Sequence, residues 1–368
     1  QFELLKGLES FSGVGAVVPM KYIQEKGVDY FGSHPMGSGP WKVVSYVPGD
    51  RLELEAVDSH WRATPRFQHI TVLDAKDEVG KVAMLKTGEL DMAHITPDSA
   101  AALKTSGLRI LNFDGGAEAS ASLFYDLAHP EQYAMGDVRV RKALAYAVNK
   151  QEMADKLVSG FGTPSAFYYA PPTAYFFDPN VLKPDPYDAE GAKKLLTDAG
   201  YANGFNTKIF DQGKGSLLST LNVAISGYWR KIGINADVVA VDSAVLYSMR
   251  HPVHKPEIWG NAAGTLTGGG VMQFEGMLTV YQSTKGVFHN HANKQLDDLI
   301  DKVPLTTDLA EKKKLALQAA VLAKNEYAFL PFIRLQTTVA IGSKIGSVTP
   351  IKNVVAFAAV YETITHAK

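Results

Sequence analysis

The chain has 368 residues, of which 46% are hydrophobic and 20% are charged, a balance that excludes disorder of the whole chain. Its 37 basic and 38 acidic side chains leave a net charge of −1, which argues against a nucleic-acid-binding protein. No apolar run reaches the roughly 18 residues that a membrane-spanning helix needs. Cysteine is absent, so disulfides, thiol nucleophiles and thiolate metal ligands are excluded.

The first part of the chain alternates strands and helices. Residues 41–56 predict a β-hairpin that turns at Pro48-Gly49-Asp50, and 69–74 predict a further strand. A helix should end at Gly88, followed by a short strand, a helix opened by Pro97 and a strand over 108–113. This order is typical of an α/β sheet.

The second part repeats that order. Residues 120–127 predict a strand, 137–150 one helix capped by Asp137, and 161–180 a long ordered loop rich in proline and aromatic residues. Residues 188–241 read as helix, strand, helix, strand. A last long helix over 308–327 precedes an apolar strand over 329–341, which suits a return to the first sheet. Two lobes joined by two strand crossovers are therefore expected.

The segment EIWGNAAGTLTGGG, residues 257–270, has the glycine spacing of a phosphate-binding loop but has Gly270 where the lysine should stand. GKGSLL, residues 213–218, lacks the third glycine of the dinucleotide-binding pattern. The segment reads instead as a strand, 257–263, that ends in glycines. Its Trp259 suits either the wall of a ligand pocket or a position in the core.

Histidines raise a second possibility, a histidine-metal hydrolase. His289 and His291 form a pair, as do His251 and His254, but no acid stands at a compelling spacing for a third metal ligand. No G-x-S-x-G nucleophile motif is present. The sequence thus predicts no metal, no cofactor and no catalytic residue, and metal analysis of the purified protein would distinguish the two readings.

Four motifs in order carry a family resemblance. They are HPMGSGPWKVVSYVPGDRLELEA, KVAMLKTGELDMAHI, DVRVRKALAYAVNKQEM and DPYDAEGAKKLLTDAGY. Together they resemble the family 5 extracellular solute-binding proteins, the receptors of oligopeptide, dipeptide and nickel ABC importers. The resemblance extends over the whole chain.

The resemblance implies an α/β fold of the periplasmic-binding-protein type II (cluster C): a two-lobe clamshell with mixed sheets, two crossover strands and a third small domain that is mostly missing. It places a re-entry segment at 1–39, lobe one at 40–125 plus 329–368, and lobe two at 126–328. The chain is then expected to lack the N-terminal part of such a protein. If that part is truly absent, so are one wall of the ligand site and part of a sheet.

The implied role is solute capture by lobe closure, followed by delivery to the membrane permease. The expected ligand-binding residues are Trp259, Asn261, Tyr125, Phe124, Tyr169, Gly260 and Asp211. The expected hinge residues are Leu123, Asp126, Phe332 and Leu335. Ala262 stands where peptide-binding members carry the acid that pairs with the peptide ammonium, so we expect a ligand that is not clamped in that way, such as a sugar, an opine or a modified peptide.

The expected partners are a small solute or peptide-like ligand and the permease, with the chain a monomer. The N-terminus, QFELLKGLES, has no leader pattern, so the chain is cytosolic, has lost a leader or starts partway through a longer protein. The resemblance favours the periplasm, or an extracellular lipoprotein, with no signal peptide in this sequence. A third reading makes the chain a non-binding fragment that acts as an interaction surface.

Overall fold

The computed structural model describes residues 18–75, 77–103, 105–124, 130–168, 172, 174–211, 217–242, 245, 262–268, 274–286, 292–349 and 361–367. The chain divides into two compact units. Unit 1 comprises Gln1–Gly115 and Thr337–Lys368, and unit 2 is the continuous segment Gly116–Gln336. The chain passes from unit 1 to unit 2 within one long strand and returns within another.

Unit 1 begins with helices and a small antiparallel sheet. Its elements in chain order are α1 Met20–Lys26, α2 Val28–Ser33, β1 Trp41–Val47, β2 Arg51–Ala56, β3 His69–Leu73, α3 Glu78–Thr87, β4 Met92–His94, α4 Pro97–Leu103 and the start of β5 Arg109–Phe124. The predicted hairpin is confirmed: β1 pairs with β2, β2 pairs with β3, and Gly49 takes the positive φ of 74° that the turn needs.

The predicted end of helix α3 at Gly88 is confirmed, and the structure shows where the helix begins. The Asp77 side chain accepts hydrogen bonds from the Val79 and Gly80 amides, so it is the N-cap, and Gly88 closes the helix in the left-handed conformation. Glu78, in the first turn, accepts a 2.7 Å hydrogen bond from the Thr96 amide and pairs with Lys81. Burial acts to raise the pKa of Glu78, but these interactions outweigh it and lower the pKa from 4.5 to about 2.

Glu78→Gln is expected to destabilise unit 1 by about 1–2 kcal/mol near neutral pH, because a hydrogen-bonded charge is lost. The folded-state pKa lies below the unfolded one, so this stability is present above pH 4.5 and is lost as the pH falls towards about 2. Urea unfolding of both forms across this pH range measures it. Glu89→Gln, at an exposed site beyond the same helix, is the control. A difference in unfolding free energy between wild type and Glu78→Gln that does not change with pH would contradict the lowered pKa of Glu78.

Unit 2 contains most of the remaining elements. These are the end of β5, α5 Val138–Tyr146, α6 Lys150–Leu157, β6 Gly162–Pro164, α7 Ala189–Asp198, β7 Phe205–Asp211, α8 Leu217–Arg230, β8 Ile234–Ala240, β9 Ala262–Gly268, α9 Phe274–Met277, a π-helical turn Leu278–Gln282, α10 Lys294–Leu305, α11 Leu309–Asn325 and most of β10 Phe329–Ile341. Asp137 is confirmed as the cap of α5, and the structure adds Asp188 and Asp308 as the caps of α7 and α11.

Three predictions of element boundaries are wrong. The strands expected at 108–113 and 120–127 are one strand, β5, which runs through Gly115 and Gly116. The single helix expected over 137–150 is two, because Asn149 caps α6 by accepting from the Glu152 amide. The loop expected at 161–180 contains the short strand β6, which pairs with β10.

The sheet of unit 2 is mixed. Its hydrogen-bonded order is β10–β5–β9–β7–β8, with β7, β8 and β9 parallel to one another and β5 antiparallel to β9. Helices α5, α6 and α8 pack on it around the fully buried Trp229, whose indole nitrogen donates a 3.0 Å hydrogen bond to the Leu144 carbonyl. In unit 1, β10 continues through Thr337–Ile341, and its last three residues pair with β4.

Arg141 of α5 is a buried charge in unit 2, with only 3% of its surface exposed. Its guanidinium donates to the carbonyls of Met135, Gly136 and Glu326 at 3.0, 2.8 and 2.7 Å, and it lies 3.6 Å from the Glu326 carboxylate. The side chain therefore ties the start of α5 to the end of α11.

Asp185 forms a second buried charge cluster. Its carboxylate lies 3.2 Å from Lys150 and 2.5 Å from Lys324, and it accepts a 3.3 Å hydrogen bond from Tyr327. Burial acts to raise the pKa of Asp185, but attraction to the two lysines outweighs it and holds the pKa below its usual value. Burial and the Asp185 charge both raise the pKa of Tyr327.

The division into units bears on the domain prediction without deciding it. The chain changes unit between residues 115 and 116 and again between 336 and 337, whereas the sequence placed the lobe boundaries at 125/126 and 328/329. Residues 1–39, expected as a separate re-entry segment, fall within unit 1. The assignment of the units to the lobes of a binding protein stays a prediction.

Candidate ligand-binding site

The predicted site is only partly covered by the described residues. The described residues include Leu123, Asp211, Phe332, Leu335 and the backbone of Phe124. The other predicted residues, namely Trp259, Gly260, Asn261, Tyr125, Tyr169 and Asp126, lie outside the described residues. The predicted strand 257–263 is likewise described only from Ala262 onward, and it continues through the glycine-rich positions to Gly268.

The end of β5 and the beginning of β9 meet at one position of the unit 2 sheet. Phe124 is the register partner of Ala262, and Leu123 is the partner of Ala263. On the other side of β9, Lys208 of β7 is the partner of Ala262. Leu123 and Ala263 are completely buried in the core. The sheet therefore brings together, from distant parts of the sequence, the residues that border the predicted Tyr125 and Asn261.

Asp211 lies elsewhere on the same sheet, at the carboxyl end of β7. It is three residues beyond Lys208, which corresponds to roughly 10 Å along a strand. Its carboxylate accepts a hydrogen bond from the Ser219 hydroxyl in the first turn of α8, and its carbonyl accepts a 2.8 Å bond from the Val241 amide. The carboxyl ends of parallel strands are where α/β folds place ligands. Phe124 and Asp211, the two predicted binding residues that are described, thus lie at different positions on the sheet.

Helix α8 holds this edge of the sheet in place. Ser226 donates a 2.6 Å hydrogen bond to the Ala236 carbonyl of β8, and Leu221 and Ile225 are buried against the strands. One turn before Ser226, the completely buried Asn222 side chain has no hydrogen-bond partner for either of its polar atoms within the described part of the chain. The sequence offered a signal for neither Asn222 nor the Arg141 and Asp185 clusters, because each lies within an otherwise ordinary helix or loop pattern.

The hinge residues divide into two kinds. Leu123 and Phe332 are completely buried within unit 2, and the Leu123 amide donates a 3.1 Å hydrogen bond to the Ala328 carbonyl just before β10. Leu335 is half-buried and stands one residue before the end of unit 2. Their role as hinges stays a prediction.

The alternative of a metal hydrolase gains no support. His251, His254, His289 and His291 lie outside the described residues. Within the described ranges, no group of three or more histidine or acidic side chains could hold a metal ion. The helices of those same ranges include none with the length and apolar character to cross a bilayer.

Comparison with known proteins gives consistent likenesses. The curated glutathione-binding protein GsiB of Escherichia coli O1:K1 is 26% identical over 311 residues, which cover 82% of this chain and 59% of GsiB. The chain thus spans about three-fifths of the length of the curated relatives that it matches.

Two solved structures share its fold. Helicobacter pylori DppA, in complex with the peptide STSA, has a TM-score of 0.73 at 20% identity over 96% of this chain and 68% of DppA. MoaA of A. tumefaciens R10, in complex with mannopinic acid, has a TM-score of 0.71 at 22% identity over 99% of this chain and 73% of MoaA. The predicted fold class, that of the type II periplasmic binding proteins, is confirmed by such likenesses.

The family itself follows from a match to a family model. Residues 6–284, well over half of the chain, match the model described as bacterial extracellular solute-binding proteins, family 5 middle. The four motifs named above lie within this range, which includes β1 to β9. The resemblance recognised in the sequence is therefore confirmed, and the chain belongs to the family 5 bacterial extracellular solute-binding proteins.

Proposed function

We propose that the chain is the substrate-binding receptor of an ABC importer. It captures a small solute by closure of two lobes and delivers the solute to the membrane permease. The observation that carries this proposal is the family match over residues 6–284. On this reading the protein binds and releases its ligand unchanged, acts outside the cytoplasm and works as a monomer with the transmembrane subunits of the permease as its partners.

The binding residues are proposed to cluster where β5 ends and β9 begins. Phe124 and Ala262 are register partners, and Tyr125 and Asn261 are the next residues in sequence. Trp259 and Gly260 precede Asn261. The convergence of these two segments on one sheet position supports a shared role. Asp211 and Tyr169 are proposed as further contacts, with Asp211 supported by its place at the carboxyl end of β7.

Closure is proposed to bend the chain at Leu123, Asp126, Phe332 and Leu335. The hydrogen bond from the Leu123 amide to the Ala328 carbonyl supports this, since it joins the two chain segments that would bend together. Ligand shifts the population towards the closed form only as far as it binds that form better.

The proposed ligand class is a small solute whose amino group, if present, is not held by a buried acid at position 262. The relatives named above bind glutathione, a peptide and mannopinic acid. Ala262, which lies in β9 between β5 and β7, offers no carboxylate to an ammonium. Burial of an unpaired ammonium would cost several kcal/mol, so the free amine should not be the group that selects the ligand.

Titration calorimetry with glutathione, Ser-Thr-Ser-Ala and mannopinic acid tests the receptor function. Saturable binding of one of them, with compaction detected by small-angle X-ray scattering, is expected. Failure of all three, together with no small molecule retained in native mass spectra of the purified protein, would count against the proposal.

N-acetylation of a bound peptide is expected to change its affinity by less than about tenfold, or ~1.4 kcal/mol. Ala262→Asp is expected to create a preference for the free amine over the acetylated form. Ala262→Asn is the matched control, because asparagine has the size of aspartate but no charge. Sub-micromolar binding by the wild type that acetylation abolishes would refute the absence of an ammonium clamp.

A further inference from the structure

Unit 2 carries an open groove on the outer face of the α10–α11 helix hairpin, away from the sheet residues considered above. The groove has a volume of about 910 Å³. Half-buried apolar side chains, Leu299, Leu317, Val321 and Leu322, form its floor. The opposite faces of the two helices are buried in a separate core cluster around Phe176 and Leu278. The four floor residues also pack against this cluster, so only the part of their apolar surface that stays exposed lines the groove.

The lining has the periodicity of a helix-packing surface. On α11 the residues along the groove include Ala310, Lys314, Leu317 and Val321. They are separated by four, three and four residues, which places them on one face of the helix, as in a helix-packing seam. The groove extends along α11 from Ala310 to Asn325, roughly 22 Å at 1.5 Å per residue. This length matches a partner helix of about four turns.

The rim is positively charged. Lys302, Lys313 and Lys314 line it, together with one acid, Asp298. Asp298 pairs with Lys294 at 3.0 Å, and Lys314 pairs with Glu311 at 3.3 Å. Among the ion pairs of the described residues, none involves Lys302 or Lys313, which are both exposed. Two exposed lysines on opposite helices therefore stand beside the apolar floor with no ion pair in the described part of the chain.

We propose that this groove docks an amphipathic helix of a partner protein, with apolar residues towards Leu299, Leu317 and Val321 and carboxylates towards Lys302 and Lys313. A helix is favoured over a membrane surface because the groove follows α11 for about four helical turns, and its half-buried apolar residues flanked by lysines match an apolar stripe flanked by carboxylates on one helix. The proposal is independent of ligand capture.

The test uses an 18-residue amidated peptide with leucines at the three–four spacing and glutamates on both sides of them, and a twin peptide with lysine in place of each glutamate. Fluorescence anisotropy with the full chain is expected to show at least tenfold tighter binding of the acidic peptide. Lys302→Glu with Lys313→Glu should remove that preference, and Leu317→Asp should weaken both peptides. Lys194→Glu, an exposed change on α7, should alter neither.

Four outcomes would overturn the proposal. The first two are no binding of the acidic peptide and equal binding of the two peptides. The third is binding that the double charge reversal leaves unchanged, in a variant that keeps the circular dichroism spectrum of the wild type. The fourth is photo-crosslinking of the acidic peptide to residues outside α10 and α11. A second copy of the chain or an anionic membrane as the true occupant would also overturn it. The first would appear as a dimer, in sedimentation velocity, that the double charge reversal dissociates. The second would appear as binding to phosphatidylglycerol vesicles that the same variant abolishes while peptide binding persists.

Discussion

Replacing Arg141 by alanine is expected to destabilise unit 2 by about 3–5 kcal/mol, the cost of breaking a buried, hydrogen-bonded charge. The substitution leaves the carbonyls of Met135, Gly136 and Glu326 without their donor, and it leaves the Glu326 carboxylate beside a void. Since unit 1 contains none of these groups, the loss should be confined to unit 2. Hydrogen–deuterium exchange under native conditions, which reports opening free energies segment by segment, measures both units in one experiment.

The same helix supplies the control for Arg141. Arg139, two residues earlier, is 49% exposed and pairs with Asp137, its own helix cap. Arg139→Ala removes a residue of the same type from the same helix but leaves no buried group without a partner, so its effect should be far smaller. Comparable protection in α5 and α11 for the wild type and Arg141→Ala would show that water replaces the guanidinium at little cost.

Asp185→Asn is expected to destabilise unit 2 by a similar amount, about 3–5 kcal/mol, because it removes the buried carboxylate that pairs with both Lys150 and Lys324. The folded-state pKa of Asp185 lies below its unfolded value, so its contribution is present above about pH 4 and is lost as the pH falls through the lower folded-state pKa. The difference in unfolding free energy between wild type and Asp185→Asn should therefore become smaller below about pH 4.

Urea unfolding, monitored by hydrogen exchange in α6 and α11 at several pH values, measures the loss of stability caused by Asp185→Asn. Asp198→Asn, which breaks the exposed pair with Lys194 on α7, is the matched control, and its effect should be a small fraction of that at Asp185. If wild type and Asp185→Asn had the same unfolding free energy at pH 7, or if their difference increased in acid, Asp185 would not be the buried counter-ion of two lysines.

Local sequence signals predicted local structure well. Asp137 was recognisable as a cap because a capping side chain bonds to amides two or three residues away, and Asp188 and Asp308 cap their helices in the same way. Gly88 was recognisable for a similar reason. In contrast, β5 was predicted as two strands, since Gly115 and Gly116 favour a break that pairing with distant strands overrides. The helix Lys294–Leu305 was not predicted at all, although Asn293 caps it and Leu296, Ile300 and Val303 form its buried stripe.

The candidate site was less accessible to sequence reasoning than the fold. The register that places Phe124 opposite Ala262 depends on pairing between strands that are 138 residues apart in sequence, and no local pattern encodes it. The same applies to Asp185, whose lysine partners come from two different helices. The family, by contrast, was visible in short motifs such as DVRVRKALAY, in which Arg141 takes part in the buried contacts described above.

The hydrogen bond between Leu123 and Ala328 has a consequence for how such a protein can be rearranged. It holds the first and last strands of Gly116–Gln336 as neighbours, so the incoming and outgoing backbone are separated by about one strand spacing, ~4.8 Å. A continuous segment whose first and last strands are neighbours in one sheet is suited to insertion into a surface loop of an unrelated host, or to the opening of new termini elsewhere. Unit 1, made of two separate stretches of chain, offers no such freedom.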